Sequence, residues 1–283
     1  MSAEIAIHVN EWGDESDPVL LLAHGGMDFS RTFDVFAPLL AAGGWRVIAW
    51  DHRGHGDSET PSFYSWDADV RDMLAVLDSS THGQAAMVGH SKGGALMLQL
   101  AQSLPHRCSH LANLDGLPSN SWNADLTAEE DLEFMATELT SWLDFQRRLM
   151  PTTQRKPGSI QELAVRRQKM NPRADIKWLE YLVTVGANSS EDGWRWKLDP
   201  GLRMAHFGPW RTEWSRDRMP ALGMPFLGVL GLEKEDMGWG TAPEDILEWL
   251  PEQAQFEPLE DTGHFVHIEQ ADHVASLVLD FLR

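Results

Sequence analysis

One serine is placed as a catalytic nucleophile would be, at the centre of the sequence Gly-His-Ser-Lys-Gly at residues 89–93. The apolar run 85–88 precedes it and a run of small and apolar residues at 94–98 follows, which predicts a strand, a sharp turn and a helix. The backbone of such a turn is so tight that only small residues fit two positions before and after the serine. We therefore predict that Ser91 is an exposed nucleophile.

A serine hydroxyl becomes nucleophilic only beside a base, and histidine has a suitable pKa for this role. Among the twelve histidines, His264 lies in a predicted turn after the last strand. That turn emerges at the same edge of the sheet as the turn of Ser91. His267 and His273 fall within or just before the last predicted helix, where we favour structural roles. The sequence therefore predicts His264 as the general base.

The histidine in turn needs a carboxylate that orients its ring and stabilises its charged form. The loop after the predicted strand 226–230 offers three acids. We prefer Asp236, which leaves room for one helix and one strand before the histidine, and then Glu235. Asp115 is a further alternative, because it ends a neighbouring strand and could reach the same histidine. For Asp115, however, we favour capping of a turn with Gly116.

Two backbone amides are candidates for stabilising a negatively charged oxygen on the substrate. The amide of Lys92 begins the helix after the serine, where unpaired N–H groups favour an anion. The second amide should come from the turn His-Gly-Gly-Met at residues 24–27, through Gly26 or Met27, because glycine lets the backbone approach a substrate closely.

Strand-like and helix-like segments alternate over the first 118 residues, which predicts a mostly parallel sheet flanked by helices. The pattern then changes, because capping boxes at Thr127 and Ser159 open helices with no strand between them. Strand patterns return at 226–230 and 255–258, before a last amphipathic helix. We therefore predict an α/β core formed by residues 1–118 and 216–283, with an all-helical cap at 119–215.

Composition excludes several classes of protein. The formal net charge of −20 disfavours nucleic acid and anionic membranes as partners. The 283 residues include a single cysteine, Cys108, which excludes an internal disulfide and fits a cytoplasmic protein. No apolar run approaches the roughly 20 residues of a membrane span, so we expect a soluble chain.

Two features of the predicted cap bear on its substrate. Seven of the thirteen tryptophans lie in the cap or at its exit, and among them we select Trp142 and Trp178 as substrate-binding residues of an apolar cleft. Between Arg147 and Lys177, nine basic residues face only two acidic ones. We favour a solvated helix face as the explanation, and the alternative is steering of an anionic substrate.

Taken together, these motifs resemble the α/β-hydrolase family, specifically its serine hydrolases with a helical cap. The resemblance rests on residues 24–26, 51–58, 89–94 and 261–264, in that order. It implies an eight-stranded sheet, a cap between the sixth and seventh strands, a Ser-acid-His triad, and no cofactor or metal. The motif at 51–58 is a structural turn in this family. Lys92 departs from the family, where an apolar residue is commoner.

The resemblance and the residues together predict a serine hydrolase that cleaves a small carboxylic ester through an acyl-enzyme. A serine nucleophile disfavours the relatives that open epoxides or displace halides with a carboxylate. We expect a small-molecule substrate with a bulky aromatic or medium-chain acyl group. The alternatives are a ligand receptor with little turnover, an acyltransferase, or a hydrolase of carbon–carbon bonds.

Overall fold

The computed structural model describes residues 4–62, 64–118, 155–203, 212–236, 238 and 241–283, with isolated residues at 133, 136, 137, 140 and 144. The strands are β1 (Val9–Trp12), β2 (Val19–Ala23), β3 (Arg46–Trp50), β4 (Ala85–His90), β5 (Cys108–Leu114), β6 (Ala187–Ser190), β7 (Gly193–Trp196), β8 (Phe226–Gly231) and β9 (Gln255–Leu259). The α-helices are α1 (Ala37–Ala42), α2 (Trp66–Ser80), α3 (Lys92–Ser103), α4 (Ile160–Gln168), α5 (Ile176–Gly186), α6 (Thr212–Arg216), α7 (Val266–Glu269) and α8 (Ala271–Phe281).

Seven strands form one sheet in the order β1-β3-β2-β4-β5-β8-β9, and only β1 runs antiparallel to its neighbour. The predicted α/β-hydrolase architecture of a mostly parallel sheet flanked by helices is therefore confirmed. The described residues supply seven strands to this sheet, whereas the family resemblance implies eight. Six short 3₁₀ segments complete the described elements: Ser30–Phe33, Pro105–Arg107, Pro200–Arg203, Met219–Ala221, Pro243–Asp245 and Leu247–Trp249.

Strand β2 and the first four residues of β4 are apolar, as expected where helices cover both faces of the sheet. On one face, helices α2 and α3 pack with Leu21 and Met87 in a buried cluster. On the other face, α1 and α8 pack with Leu22 and Val88. The alternation of side-chain direction along a strand sends neighbouring residues to opposite clusters, so the sheet is held in place from both sides.

The segment between β5 and β8 differs from the all-helical cap predicted for 119–215. Helices α4 and α5 are confirmed, and α4 begins with the predicted capping box of Ser159 and Glu162. However, β6 and β7 form an antiparallel hairpin in the same segment. The hairpin turns through residues 191 and 192, and Gly193, which begins β7, has a φ of 120° that side-chain-bearing residues rarely adopt. The helix predicted from Thr127 lies outside the described residues, apart from the isolated positions.

The hairpin and the two helices pack together around one side chain of the core. Phe29, which follows β2, is buried in a cluster with Leu163 of α4 and Leu182 of α5. Its ring also lies 6.2 Å from the ring of Trp196 in β7. The inserted segment is thereby attached to the loop that leaves β2. In the described ranges, no helix combines the length and apolarity that crossing a bilayer requires.

The close contact between α3 and β2 leads to a first prediction. A methyl group at position 93 would lie 2.2 Å from the carbonyl oxygen of Ala23, and backbone there cannot move freely. We expect Gly93→Ala to lower the free energy of unfolding by about 1–3 kcal/mol. Gly26→Ala is the control, because no atom outside its own residue and its two chain neighbours lies within 4 Å of the added methyl group. Equal urea midpoints for the two variants would contradict this account of the packing.

Candidate active site

Ser91 occupies a strained corner between β4 and α3. Its φ of 51° and ψ of −122° are unusual for a residue with a side chain. The flanking glycines explain how the corner forms, since a methyl group on Gly89 would lie 2.4 Å from the carbonyl oxygen of Gly93. The predicted sharp turn is thus confirmed, and it sets Ser91 at the carboxyl end of the central strand.

Hydrogen bonds join this corner to the turns that follow two other strands. The amide of Ser91 donates to the carbonyl of Leu114 over 3.0 Å. The ring Nε2 of His90 donates to the backbone carbonyl of His264 over 2.8 Å. A methyl group at Gly116 would lie 2.2 Å from the carbonyl oxygen of Ser91, so the turn after β5 presses directly against the serine. The turns after β4, β5 and β9 therefore meet at one place.

The carboxylate beside the ring of His264 belongs to Asp115. Its Oδ2 lies 2.5 Å from the ring Nδ1 of His264, and both side chains are buried. Its Oδ1 accepts a hydrogen bond from the amide of Gly231 over 2.9 Å, and its own amide donates to the carbonyl of Val229 over 2.8 Å. The end of β8 thus holds the carboxylate in the orientation in which it contacts the imidazole.

The structure does not give this position to Asp236, the first choice from the sequence. Asp236 is exposed, whereas in the described part of the chain the acidic side chains that contact His264 through hydrogen bonds are those of Asp115 and Glu235. Glu235 contacts the backbone of His264 rather than its ring, because its Oε2 accepts from the His264 amide over 3.1 Å. The strand order explains the difference, since β5 lies between β4 and β8 and brings Asp115 next to both turns.

The turn at Gly116 is capped by Asn113 and not by Asp115, which corrects the interpretation favoured from the sequence. The side-chain oxygen of Asn113 accepts from the amide of Gly116 over 2.8 Å, and its side-chain nitrogen donates to the Gly116 carbonyl over 3.2 Å. Asn113 is fully buried. Because it satisfies the turn, the carboxylate of Asp115 is left to contact the histidine.

The two candidate amide donors belong to segments that lie next to Ser91. Lys92 is the first residue of α3, and a methyl group on Gly25 would lie 3.1 Å from the Cβ of Ser91. The loop after β2 therefore runs beside the serine. Met27 has a φ of 59°, and its carbonyl accepts a hydrogen bond from Nη1 of Arg167 over 2.7 Å. A residue of α4 thus holds the loop that contains Gly26 and Met27.

The side chain of Lys92 forms a buried ion pair, which accounts for its departure from the family pattern. Its Nζ lies 2.7 Å from Oδ2 of Asp69 in α2, and the two side chains are 8% and 1% exposed. The ammonium group therefore points into the protein. Removing one partner of a buried pair typically costs 3–5 kcal/mol because the other charge is left uncompensated.

Arg167 and Arg173 connect the inserted segment to the candidate site, and the sequence analysis missed both. Nη2 of Arg167 lies 3.3 Å from Oδ1 of the buried Asp28, and burial raises the pKa of that carboxyl. Arg173 donates to Glu269 over 2.8 Å and also contacts the carbonyl of Asp261 in the turn that leads to the histidine. Charge counting locates the basic segment but does not distinguish these two arginines from their exposed neighbours.

Trp178, predicted to bind substrate, packs within the inserted segment. Its ring stacks on Tyr181, with the centroids 5.1 Å apart, in the cluster around Phe29. It does not line the cavity beside Met27. Trp142 lies outside the described residues. Trp196, which was not selected, lines a cavity beside Met27.

The motif at 51–58 forms the structural turn that the family resemblance implies. Oδ1 of Asp51 accepts from both the amide and the hydroxyl of Ser30 over 2.7 Å, and Oδ2 accepts from the amide of Asp57 over 2.8 Å. His8 lies close enough to these two carboxylates to complete a possible three-ligand metal group, but His8 and Asp57 are exposed.

With this geometry established, comparison with known proteins identifies the family. The family model described as the alpha/beta hydrolase fold matches residues 18–271. The chain therefore belongs to the α/β-hydrolase family.

Individual relatives agree with this assignment. Bifunctional epoxide hydrolase 2 of Sus scrofa is 33% identical over 121 residues, which are 41% of this chain and 21% of that protein. Rhodomycin D methylesterase DauP of Streptomyces sp. (strain C5) is 33% identical over 174 residues, 58% of this chain and 57% of that protein. The chain thus spans between about a fifth and three fifths of the length of these two relatives. Among solved structures, the thioesterase domain from the curacin biosynthetic pathway superposes with a TM-score of 0.82 at 25% identity, covering 98% of this chain and 95% of that domain.

Buried histidines behind the site lead to a second prediction. His267 is fully buried against Phe33 and His90. Its pKa is lowered to about 3, mainly by burial and to a smaller extent by the charge of the nearby His264. In the unfolded chain, His267 binds a proton near pH 6.5, whereas in the folded protein it stays neutral down to about pH 3. Below pH 6.5 the unfolded state therefore binds more protons than the folded state, and the free energy of unfolding decreases as the pH falls toward 3. The free energy of unfolding should therefore fall by up to about 1.4 kcal/mol per pH unit from this residue alone.

The variant His267→Phe tests this dependence. A phenyl ring fits the aromatic surroundings and binds no proton, so the slope of unfolding free energy against pH should become shallower by about one proton between pH 6 and pH 4. Urea unfolding at several pH values measures the slope. His82→Gln, at an exposed position, is the control and should retain the wild-type slope. An unchanged slope in His267→Phe would show that this histidine is not the buried neutral group described here.

Proposed function

We propose that this protein is a serine hydrolase that cleaves a small carboxylic ester through an acyl-enzyme. The observation that supports this most strongly is the convergence of three turns. Ser91 lies on a strained corner, and hydrogen bonds connect that corner to the turns that bear Asp115 and His264. A hydroxyl, an imidazole and an orienting carboxylate are the groups that acyl transfer requires.

In the proposed first step, the hydroxyl oxygen of Ser91 attacks the carbonyl carbon of the ester. Its proton passes to Nε2 of His264, and a tetrahedral intermediate forms with a negative charge on the former carbonyl oxygen. The intermediate then collapses, the bond to the alcohol oxygen breaks, and His264 gives its proton to the leaving alcohol. The acyl group remains bonded to Ser91.

The second step reverses these proton movements with water as the nucleophile. His264 takes a proton from water, whose oxygen bonds to the acyl carbon, and then returns a proton to the oxygen of Ser91 as the carboxylic acid leaves. Throughout, the charge of Asp115 stabilises the imidazolium form and keeps Nδ1 of the ring protonated. The hydrogen bond from Gly231 to Asp115 supports this role, since it fixes the carboxylate.

The amide of Lys92 and an amide of Gly26 or Met27 are the proposed oxyanion donors. The close approach of Gly25 to Ser91 supports this placement. The partial positive charge at the start of α3 adds to the effect. Loss of one such donor typically slows catalysis by about 100- to 1,000-fold, so the loop after β2 is expected to contribute strongly, although less than the carboxylate of the triad.

We further propose that residues 119–215 act as a cap over an apolar or partly apolar pocket for an aromatic or medium-chain acyl group. The contacts of Arg167 and Arg173 with the site support this role for the described part of the segment. The names of the relatives also fit, since one is a methylesterase and one solved neighbour is a thioesterase domain. The net charge and the single buried cysteine support a cytoplasmic protein that does not bind nucleic acid or membranes.

A fluorophosphonate probe tests the nucleophile. We expect stoichiometric labelling of the wild-type protein, because the probe phosphonylates an activated serine, and loss of labelling in Ser91→Ala. Intact-protein mass spectrometry gives the stoichiometry, and circular dichroism shows whether the variant is folded. A folded wild-type protein that takes up no label would favour a ligand receptor. Product analysis with added alcohols separates hydrolysis from transfer to another acceptor.

The identity of the acid can be tested with matched carboxamide variants. We expect Asp115→Asn to lower kcat by about ten-thousand-fold, since the imidazole then loses the charge that orients and stabilises it. Asp236→Asn should retain nearly full kcat, because Asp236 is exposed and away from the ring. Hydrolysis of para-nitrophenyl butyrate measures both. A large loss in Asp236→Asn, with Asp115→Asn active, would reverse the assignment.

A further inference from the structure

A cavity of about 280 Å³ opens between α4, the segment that precedes it and the loop after β2. Four of its lining residues are basic, namely Arg155, Lys156, Arg166 and Arg167. The remaining lining residues are apolar and include Met27 and Trp196. The lining contains no acidic residue. In a chain with 43 acidic and 23 basic residues, such a concentration of positive charge in one concave site is unusual.

The positive charge of this cavity is only partly neutralised by the protein itself. Arg167 is close to Asp28, but the guanidinium of Arg166 donates to the backbone carbonyls of Lys156 and Pro157, which are neutral acceptors. Glu162, one turn before Arg166, uses Oε2 to accept from the amide of Ser159 in the capping box, and that hydrogen bond, together with the charges of Arg166 and Lys156, lowers its pKa. One carboxylate thus offsets part of the charge of these two basic residues. Lys156 is exposed at the rim. Arginine and lysine in this setting are well suited to bind an incoming anion.

The cavity lies next to the candidate active site. Met27, which lines it, follows two residues after Gly25, and Gly25 lies against Ser91. The guanidinium carbon of Arg167 is 6.0 Å from the ring centroid of Phe265, and that ring is 5.1 Å from the ring of His264. These two separations of 6.0 and 5.1 Å limit the distance from Arg167 to the imidazole to about 11 Å. A substrate of medium length can therefore span from the imidazole to the Arg167 side of the cavity.

We propose that this cavity binds a carboxylate at the far end of the acyl chain while the reacting carbonyl lies at Ser91. This inference rests on the proposed hydrolase function and specifies its substrate class: esters whose acyl part ends in an anionic group. The apolar side chains of Met27, Trp196 and Leu198 contact the chain, and Arg166 with Lys156 binds the anion. Binding energy far from the reacting bond then aligns the ester.

A pair of esters that differ in one charge tests the proposal. Mono(para-nitrophenyl) octanedioate ends in a carboxylate, and methyl para-nitrophenyl octanedioate ends in a neutral ester of similar length. We expect the wild-type protein to show a kcat/KM about tenfold or more higher for the anionic ester, because a charge-assisted hydrogen bond is formed only with it. The difference should appear chiefly in KM and should shrink as the salt concentration rises.

Three variants separate the cavity from the general field of the basic segment. Arg166→Gln should reduce the ratio of the two kcat/KM values to near one, and Arg166→Lys, which keeps the charge, should restore part of it. Lys169→Gln is the matched control, because Lys169 is exposed, lies just after α4 and does not line the cavity. It removes the same charge and should leave the ratio unchanged.

The outcomes distinguish this inference from the proposed function. If both esters are hydrolysed with equal kcat/KM, the inferred anion site is refuted while the proposed esterase function stands. The same holds if Arg166→Gln and Lys169→Gln change the ratio equally. Should neither ester be hydrolysed, the proposed function fails, and calorimetric titration with octanedioate then decides about the cavity. Binding that Arg166→Gln abolishes and Lys169→Gln retains supports an anion site, whereas absence of binding to the wild-type protein refutes it.

Discussion

The hydrogen bond from the Ser91 amide to the Leu114 carbonyl is the contact on which the site depends. It joins the turn after β4 to the turn after β5. Because Asp115 directly follows Leu114, this hydrogen bond places Asp115 beside the corner that bears Ser91. Because β8 pairs with the other side of β5, the same turn is also anchored by Val229 and Gly231. A small shift in the pairing of β4 and β5 would separate the hydroxyl from the groups that activate it.

The sequence could predict Ser91 and His264 because their positions follow from local requirements. A strained corner requires small neighbours, which are visible at Gly89 and Gly93, and a turn after the last strand is visible at 261–265. Asp115 has no such local signal. Its partner His264 is 149 residues away, and only the order of strands in the sheet makes the two adjacent. The prediction of Asp236 relied on spacing along the chain, which does not record that order.

The inserted segment shows the same limit. Its helices were predictable because capping at Ser159 and the spacing of apolar residues are properties of a short stretch. The sequence of the hairpin also contains a strand-like pattern, since Trp194 and Trp196 alternate with Gly193 and Arg195. The helical patterns of the neighbouring segment nevertheless favoured the prediction of an all-helical cap. The position of Arg167 had no signal, because the sequence does not show that Arg167 is buried beside Asp28 while the preceding Arg166 stays partly exposed.

The ion pair between Lys92 and Asp69 has a consequence for how this protein can change over time. Replacing either Lys92 or Asp69 alone with an apolar residue destabilises the protein, because the remaining partner is then a buried charge without a counterion. A descendant that regains the commoner apolar residue after the serine must therefore also replace the aspartate, and intermediates with only one change pass through a less stable protein. Divergence at these two positions should thus occur jointly, and a family tree would show them exchanged as a unit.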